Sequence, residues 1–402
     1  MMLKKIINHL PVLLLYLVGM GGFVLSDLIV AKYYSINDVE IWAFAKSVLL
    51  LSASLCILGL DQVVIRDSGA FKLIWRFLVI RAIILASGIA LILWSYISDV
   101  SYLTWFFIIL GLTFLSFMSA LYRGALKMFR AQLSLNGWKL YFLIIVSLSI
   151  GVGVSIDYII LLSILIAVIV TFIFIAIRKD LFDFYFNKKA ENSKNKIVSQ
   201  SYKFVLLTIS LNLSINFEQL AINMLGGGNN SVNVFAHFTV FLPFVVFLNG
   251  FVGFYLGPLL RKYKNVFDIC TYRKLRFWFV ILCLLLGLLS FSVGFFGFSF
   301  MYGDKYNFSY GFSICVVLIG MFRLLYSLPS AYISILGGDD ILKLYCRVNI
   351  MCLFICLILV ALFINLGFDV AYTVLVFSLL NWMLRVLFGN YLSISELKNV
   401  RS

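Results

Sequence analysis

The sequence is short of charge. Asp, Glu, Lys and Arg make up 12% of its 402 residues, whereas a soluble globular chain carries roughly 25%. That is too little to cover a water-facing surface, so a large soluble domain is excluded. Histidine is nearly missing as well. His9 and His237 are the only two, and neither sits in a recognisable catalytic setting, which argues against an acyltransferase. None of Cys56, Cys270, Cys283, Cys315, Cys346, Cys352 and Cys356 falls in an outer connector, so no disulfide framework is expected and no metal motif is visible. Cys352 and Cys356 stand one helical turn apart in an apolar run, as packing residues do. Long outer connectors are also missing. The longest, 32–40, leaves no room for the catalytic groups of a membrane sugar polymerase. The chain is expected to be no enzyme and to hold no cofactor.

What is there is apolar: 63% of the residues are hydrophobic. A bilayer core of about 30 Å takes about 20 apolar residues per helix. That measure predicts an all-α integral membrane protein of twelve spans: 10–31, 40–60, 77–97, 102–122, 140–156, 158–177, 204–225, 234–258, 277–300, 309–331, 348–366 and 372–392. Only Asp157 marks the turn between 140–156 and 158–177. The run from Pro11 to Val30 is long enough to span and shows no cleavage site, so it reads as a retained first helix rather than a signal peptide.

Cations give the orientation. With the N-terminus inside, the inner segments collect 26 of the 32 Lys and Arg residues, Lys139 among them, and the outer connectors hold Lys32 and Lys305. Lys46, Arg81, Arg323 and Arg385 remain within spans. Positive loops face the cytoplasm, so both termini are expected there. The same asymmetry accounts for most of the net charge of +15 without a nucleic-acid partner.

The polar stretch 178–203 divides the chain into a six-helix half at 1–177 and another at 204–402. An internal repeat runs at an offset of 191 residues. It sets Asp27 on Glu218, Phe44-Ala45-Lys46 on Phe235-Ala236-His237, and Gly59 on Gly250. Both first helices run from inside to outside, so the halves are parallel repeats about an axis along the membrane normal, a pattern typical of transporters.

A charge at membrane depth is expensive and must face a cavity or a partner. Arg323 and Arg385 lie deep in the tenth and twelfth spans. They read either as an electropositive cavity for an anionic headgroup, which guanidinium forks bind well, or as structural partners of carboxylates and helix-end carbonyls. Arg81, one turn inside its span, reads as a snorkelling residue or a substrate contact. Asp27 and Lys46 stand at similar depth and either pair or act. The seventh span carries Asn212, Asn216, Glu218, Gln219 and Asn223 on more than one side, so it is expected to be enclosed by protein or water. Glu218 there is a candidate ion carrier, and His237 either titrates or sits at the interface. Pro243 within the eighth span, Pro258 and Pro329 near the ends of the eighth and tenth, Gly-Gly-Gly at 226–228 and Gly-Gly at 337–338 suit halves that rock, and suit packing equally.

Several stretches carry a family resemblance. They are the run 33–42 leading to Leu58-Gly59-Leu60-Asp61-Gln62 and Arg66, the run from Glu218 to Gly227, Phe254-Tyr255-Leu256-Gly257-Pro258, and Phe300-Met301-Tyr302-Gly303-Asp304-Lys305-Tyr306. On these the chain resembles the polysaccharide exporters of the multidrug/oligosaccharidyl-lipid/polysaccharide flippase superfamily, most closely the bacterial O-antigen flippases. It departs from them in having Glu218 where aspartate is commoner and in lacking a glycine beside Tyr33-Tyr34.

The resemblance implies a MATE-like fold in the bacterial inner membrane. It implies a flippase that moves an undecaprenyl-pyrophosphate-type lipid-linked oligosaccharide from the cytoplasmic to the periplasmic face. Arg323, Arg385, Arg81 and Lys46 would contact the substrate. Glu218, Asp27 and His237 would couple to protons or sodium. Membrane lipids and the polymerase and chain-length proteins of the same pathway would be its partners. The rivals are a cation-coupled drug antiporter of the same superfamily and a membrane polymerase or acyltransferase.

Overall fold

In hydrocarbon a backbone N–H finds no water, so an apolar chain satisfies itself as helix. The computed structural model describes residues 2–66, 68–97, 99–125, 127–178, 194–226, 228–245, 248–249, 252, 256, 260 and 267–399. They form α1 (Met2–Tyr33), α2 (Ile36–Ile57), α3 (Leu60–Arg66), α4 (Phe71–Tyr96), α5 (Tyr102–Gly124), α6 (Met128–Leu148), α7 (Ile156–Arg178), α8 (Lys194–Gly226), α9 (Gly228–Phe241), α10 (Ile269–Tyr302), α11 (Tyr310–Leu336), α12 (Asp339–Asn365) and α13 (Val370–Asn399), with no strand among them.

Ten of these helices are long and apolar enough to cross a membrane. The helix α8 is also long enough, but its amide and carboxylate side chains lower its hydropathy. With α9 it takes the place of the seventh and eighth expected spans. The backbone breaks between Phe241 and Pro243, as a residue without an N–H requires. Lipid-facing surface is plain on α10, where Phe277, Trp278, Leu285, Leu288, Phe296 and Phe300 are all exposed.

Short connectors follow from side-chain caps. Ser35, Ser101, Ser309 and Asp268 each accept from the backbone N–H three residues on, closing the first turns of α2, α5, α11 and α10. The α1–α2 link is therefore only Tyr34 and Ser35, shorter than the 32–40 expected.

Three expectations need correction. The fifth span is not 140–156 but α6, Met128–Leu148. Its first half is polar and looks like a loop, yet Gln132, Ser134, Asn136 and Lys139 are buried. Lys139 therefore lies buried within α6 and is not an inner-loop residue. The turn after α6 occupies 149–155, where Gly151 and Gly153 take positive φ, rather than the single position Asp157. Pro329 lies inside α11, which continues to Leu336, rather than near the end of its span.

The chain divides into two compact units, Met1–Asn212 and Leu213–Ser402, with the division falling within α8. In the first, α1 lies along α6, and α5 packs on α2, α4, α6 and α7. In the second, α13 packs on α11 and α12, and α10 on α9 and α11. Most of the stretch 178–203, together with Gly227, Gly250, Pro258 and most of the run 254–261, lies outside the described residues.

Candidate functional site

In the C-terminal unit, polar side chains from α8, α11 and α13 meet. One terminal nitrogen of Arg323 donates to both oxygens of Glu218 at 2.7 Å and to the Ile215 carbonyl at 2.9 Å. Ser378 of α13 donates to the same carboxylate. Arg323 is 5% exposed and Glu218 1%, so the pair is desolvated. The expected enclosure of α8 holds: Asn216, Glu218 and Asn223 are buried, and Gln219 donates to Ser231 Oγ at 2.8 Å.

Arg385 sits one helical stripe along α13. Its Nε donates to Asn381 Oδ1 at 3.1 Å, and a terminal nitrogen donates to the Asn349 carbonyl of α12 at 2.9 Å. Between the two arginines stands Trp382. Its ring lies 5.3 Å from Arg323 Cζ and 5.5 Å from Arg385 Cζ. Two guanidiniums on one indole is a cationic arrangement that the ring's quadrupole tolerates. Arg323 Nε, Asn381 Nδ2 and Trp382 Nε1 are buried N–H donors that make no hydrogen bond among the described residues.

In the N-terminal unit, Asp27 of α1 accepts from Trp42 Nε1 at 2.8 Å and from Lys46, both on α2. Lys139 of α6 completes a second cluster. It donates to Asn136 Oδ1 at 2.7 Å and to Met20 Sδ at 3.1 Å. The Phe23 ring faces both ammoniums, 4.6 Å from Lys46 Nζ and 5.2 Å from Lys139 Nζ. Each unit thus gathers two cations and one carboxylate around an aromatic ring.

The remaining expected residues stand apart. The Arg81 guanidinium donates to the Ile57 carbonyl at the end of α2 and lies 5.0 Å over Phe77. It closes a helix C-terminus, where a cation is favoured. His237 is packed among Phe241, Phe298, Phe308 and Phe312. Its Nε2 accepts from the Ser309 backbone N–H at 3.1 Å, while Nδ1 is 2.8 Å from the Asn233 carbonyl. That geometry fixes the neutral ring with its proton on Nδ1.

Sequence reasoning missed Lys139, Asn136, Ser378, Asn381 and Trp382. A signal was present. Gln132, Asn136 and Lys139 fall at i, i+4 and i+7, as Ser378, Asn381, Trp382 and Arg385 fall at i, i+3, i+4 and i+7, each a single helical stripe. Among the described residues no group of three or more His, Cys, Asp or Glu side chains is placed to hold a metal ion.

No family model matches this chain, and no curated protein matches it by sequence. Solved structures match its fold. An inward-facing multidrug resistance MATE transporter of the MOP superfamily superposes with a TM-score of 0.65 at 13% identity, over 95% of this chain and 96% of that one. A MATE point mutant gives 0.58 at 13% identity, covering 97% and 96%. A MATE protein in a bent conformation gives 0.53 at 15%, covering 96% and 94%. The chain is therefore an all-helical, multi-pass protein with the MATE fold. At these identities the likeness establishes the fold and leaves the cargo to the site.

Proposed function

We propose that the protein is a flippase for a polyprenyl-pyrophosphate-linked oligosaccharide. It carries the headgroup across the bacterial inner membrane by alternating access while the lipid tail stays in the bilayer. Both termini lie in the cytoplasm. The observation that carries this reading is the Arg323–Trp382–Arg385 stack with its uncommitted N–H donors. Guanidiniums and amide donors suit phosphoryl oxygens. Pro329, six residues after Arg323 on α11, frees a backbone carbonyl and supplies a bend by which the site opens.

Glu218 and Asp27 serve as the coupling groups. Each is held by a cation, and each can exchange that partner for a proton or sodium ion once per cycle. His237, locked by its two backbone contacts, is assigned to holding the outer end of α11 against α9. Arg81 is assigned to α2, and Lys46 to the N-terminal cluster. The polymerase and chain-length proteins of the same pathway receive the product.

A second reading, a cation-coupled drug antiporter, draws on the multidrug transporter among the structural neighbours. A cationic drug needs an accessible carboxylate, and here both Glu218 and Asp27 are already paired with cations. Complementation separates the two. In the native strain lacking this gene, wild type restores surface polysaccharide and Arg323→Ala, at equal membrane expression, does not. Normal polysaccharide in the deletion strain, together with heightened sensitivity to cationic dyes, would establish the antiporter instead.

A further inference from the structure

We propose that Lys139 and Lys46 form a second anion-binding subsite, inside the N-terminal unit, which takes a phosphate-type group in competition with the Asp27 carboxylate. This rests on the anionic-cargo reading above and extends it to a residue that reading does not use.

The argument begins with acceptors. A buried ammonium has three N–H donors to satisfy and is costly without a counter-charge. Lys139 is 9% exposed, and its two hydrogen-bond acceptors are a neutral amide oxygen and a thioether, the weaker of the two. Asp27, the carboxylate of this cluster among the described residues, is bound instead by Lys46 and Trp42. Among the described residues Lys139 therefore has no carboxylate acceptor, and Phe23 presents its face to Lys46 and Lys139 alike.

The placement is built rather than incidental. A Cβ at Gly19 would lie 2.7 Å from Asn136 Cβ, so only glycine lets α1 approach α6 this closely. Asn136 in turn donates its amide to Gln132 Oε1, which leaves Oδ1 directed at Lys139. Gln132 and Asn136 of α6 thus hold the Lys139 ammonium beside α1. A purely structural position would be filled more cheaply by an apolar residue, because a buried cation without a carboxylate lowers stability.

Access comes from the Lys46 side. Its side chain is 26% exposed, against 6% for Asp27. An arriving phosphoryl group accepts from Lys46 and Lys139, and Asp27 keeps the Trp42 N–H as its remaining donor. Ligand and carboxylate then compete for the Lys46 ammonium, and the ligand adds the Lys139 ammonium, whose acceptors are neutral. The chemistry is shared by a lipid pyrophosphate and by free pyrophosphate.

The test uses the full chain in phosphatidylcholine nanodiscs. It is titrated with farnesyl pyrophosphate, with inorganic pyrophosphate, and with farnesol as the uncharged control. Wild type should bind farnesyl pyrophosphate and not farnesol. Lys139→Gln should weaken that binding about tenfold or more, and Asp27→Asn should tighten it by a similar factor, since one nearby charge is worth this much at partly buried sites. Competition by inorganic pyrophosphate supports the subsite as a reader of the headgroup alone. Binding of the lipid form only supports it as a lipid-headgroup site.

Unchanged affinity in both variants overturns the subsite. If Arg323→Gln still weakens binding in that case, the flippase reading survives alone. If wild type binds neither pyrophosphate, reading and subsite both fall. Should Lys139→Gln fail to fold, Asp27→Asn decides: affinity equal to or weaker than wild type rejects the competition.

Discussion

A single terminal nitrogen of Arg323 lies 2.7 Å from each carboxylate oxygen of Glu218, with both residues buried. Removing one partner strands the other's charge. Glu218→Gln or Arg323→Ala alone should destabilise the protein by about 3–5 kcal/mol, whereas the double variant Glu218→Leu/Arg323→Met, which buries no charge, should recover most of that loss. Thermal unfolding of the detergent-purified variants checks the stability pattern. Transport should fail in all three, because the Arg323 guanidinium is required for cargo and the Glu218 carboxylate for coupling.

The indole between the two arginines gives a second prediction. Trp382 is 1% exposed and lies within 5.5 Å of both guanidinium carbons. Trp382→Ala should cost about 3–5 kcal/mol through the cavity alone. Trp382→Phe keeps a ring but weakens both cation–π contacts, which are worth roughly 0.5–2 kcal/mol each. It should therefore fold, with a smaller loss of stability and a measurable loss of affinity for an isoprenyl pyrophosphate. Wild-type affinity in Trp382→Phe would show that the indole N–H and quadrupole do nothing for the cargo.

The apolar spans were legible because hydrophobicity over about 20 residues is a physical requirement of the bilayer. Glu218 and Arg323 were legible because a charge at that depth demands a reason. Their pairing was not, since the two residues stand 105 positions apart in the chain, and nothing local says which helices meet. Lys139 was misread for the opposite reason. The first half of α6 is polar enough to pass for a loop, and only tertiary packing against α1 buries it. The repeat placed Asp27 on Glu218, and each does pair with a cation. The cation comes from α2 in one unit and from α11 in the other, a difference no sequence offset could carry.

Gly59 tests a close approach. Its φ is +74°, and a Cβ there would lie 2.5 Å from the Ser201 carbonyl oxygen of α8. Backbone cannot yield as a side chain does. Gly59→Ala should combine the penalty for a left-handed non-glycine residue, upwards of about 1 kcal/mol, with overpacking of about 1–3 kcal/mol. A drop in thermal stability and in membrane expression is expected. Gly88→Ala, on α4 where a Cβ meets nothing within 4 Å, should be neutral in the same assay.

Asp61 gives a pH prediction. It lies in the first turn of α3, outside the membrane-crossing helices, and burial pushes its carboxyl above the ordinary carboxylate range despite the opposing pull of Gln62 and Arg123. The folded state thus holds this proton more tightly than the unfolded chain does. Its contribution to stability is fully present below the unfolded value, about 3.9, and declines as pH rises through the folded value. Above the folded value the group is ionised in both states and the burial penalty stands in full. Asp61→Asn keeps an acceptor for the Gln62 amide, which lies 2.9 Å from the carboxylate, and carries no charge to bury. It should be more heat-stable than wild type at pH 7, with the gap closing as the pH is lowered. If Asp61→Asn is instead less stable at pH 7, the attraction to Arg123 outweighs burial, and Asp61 is a charge clamp between α3 and α5.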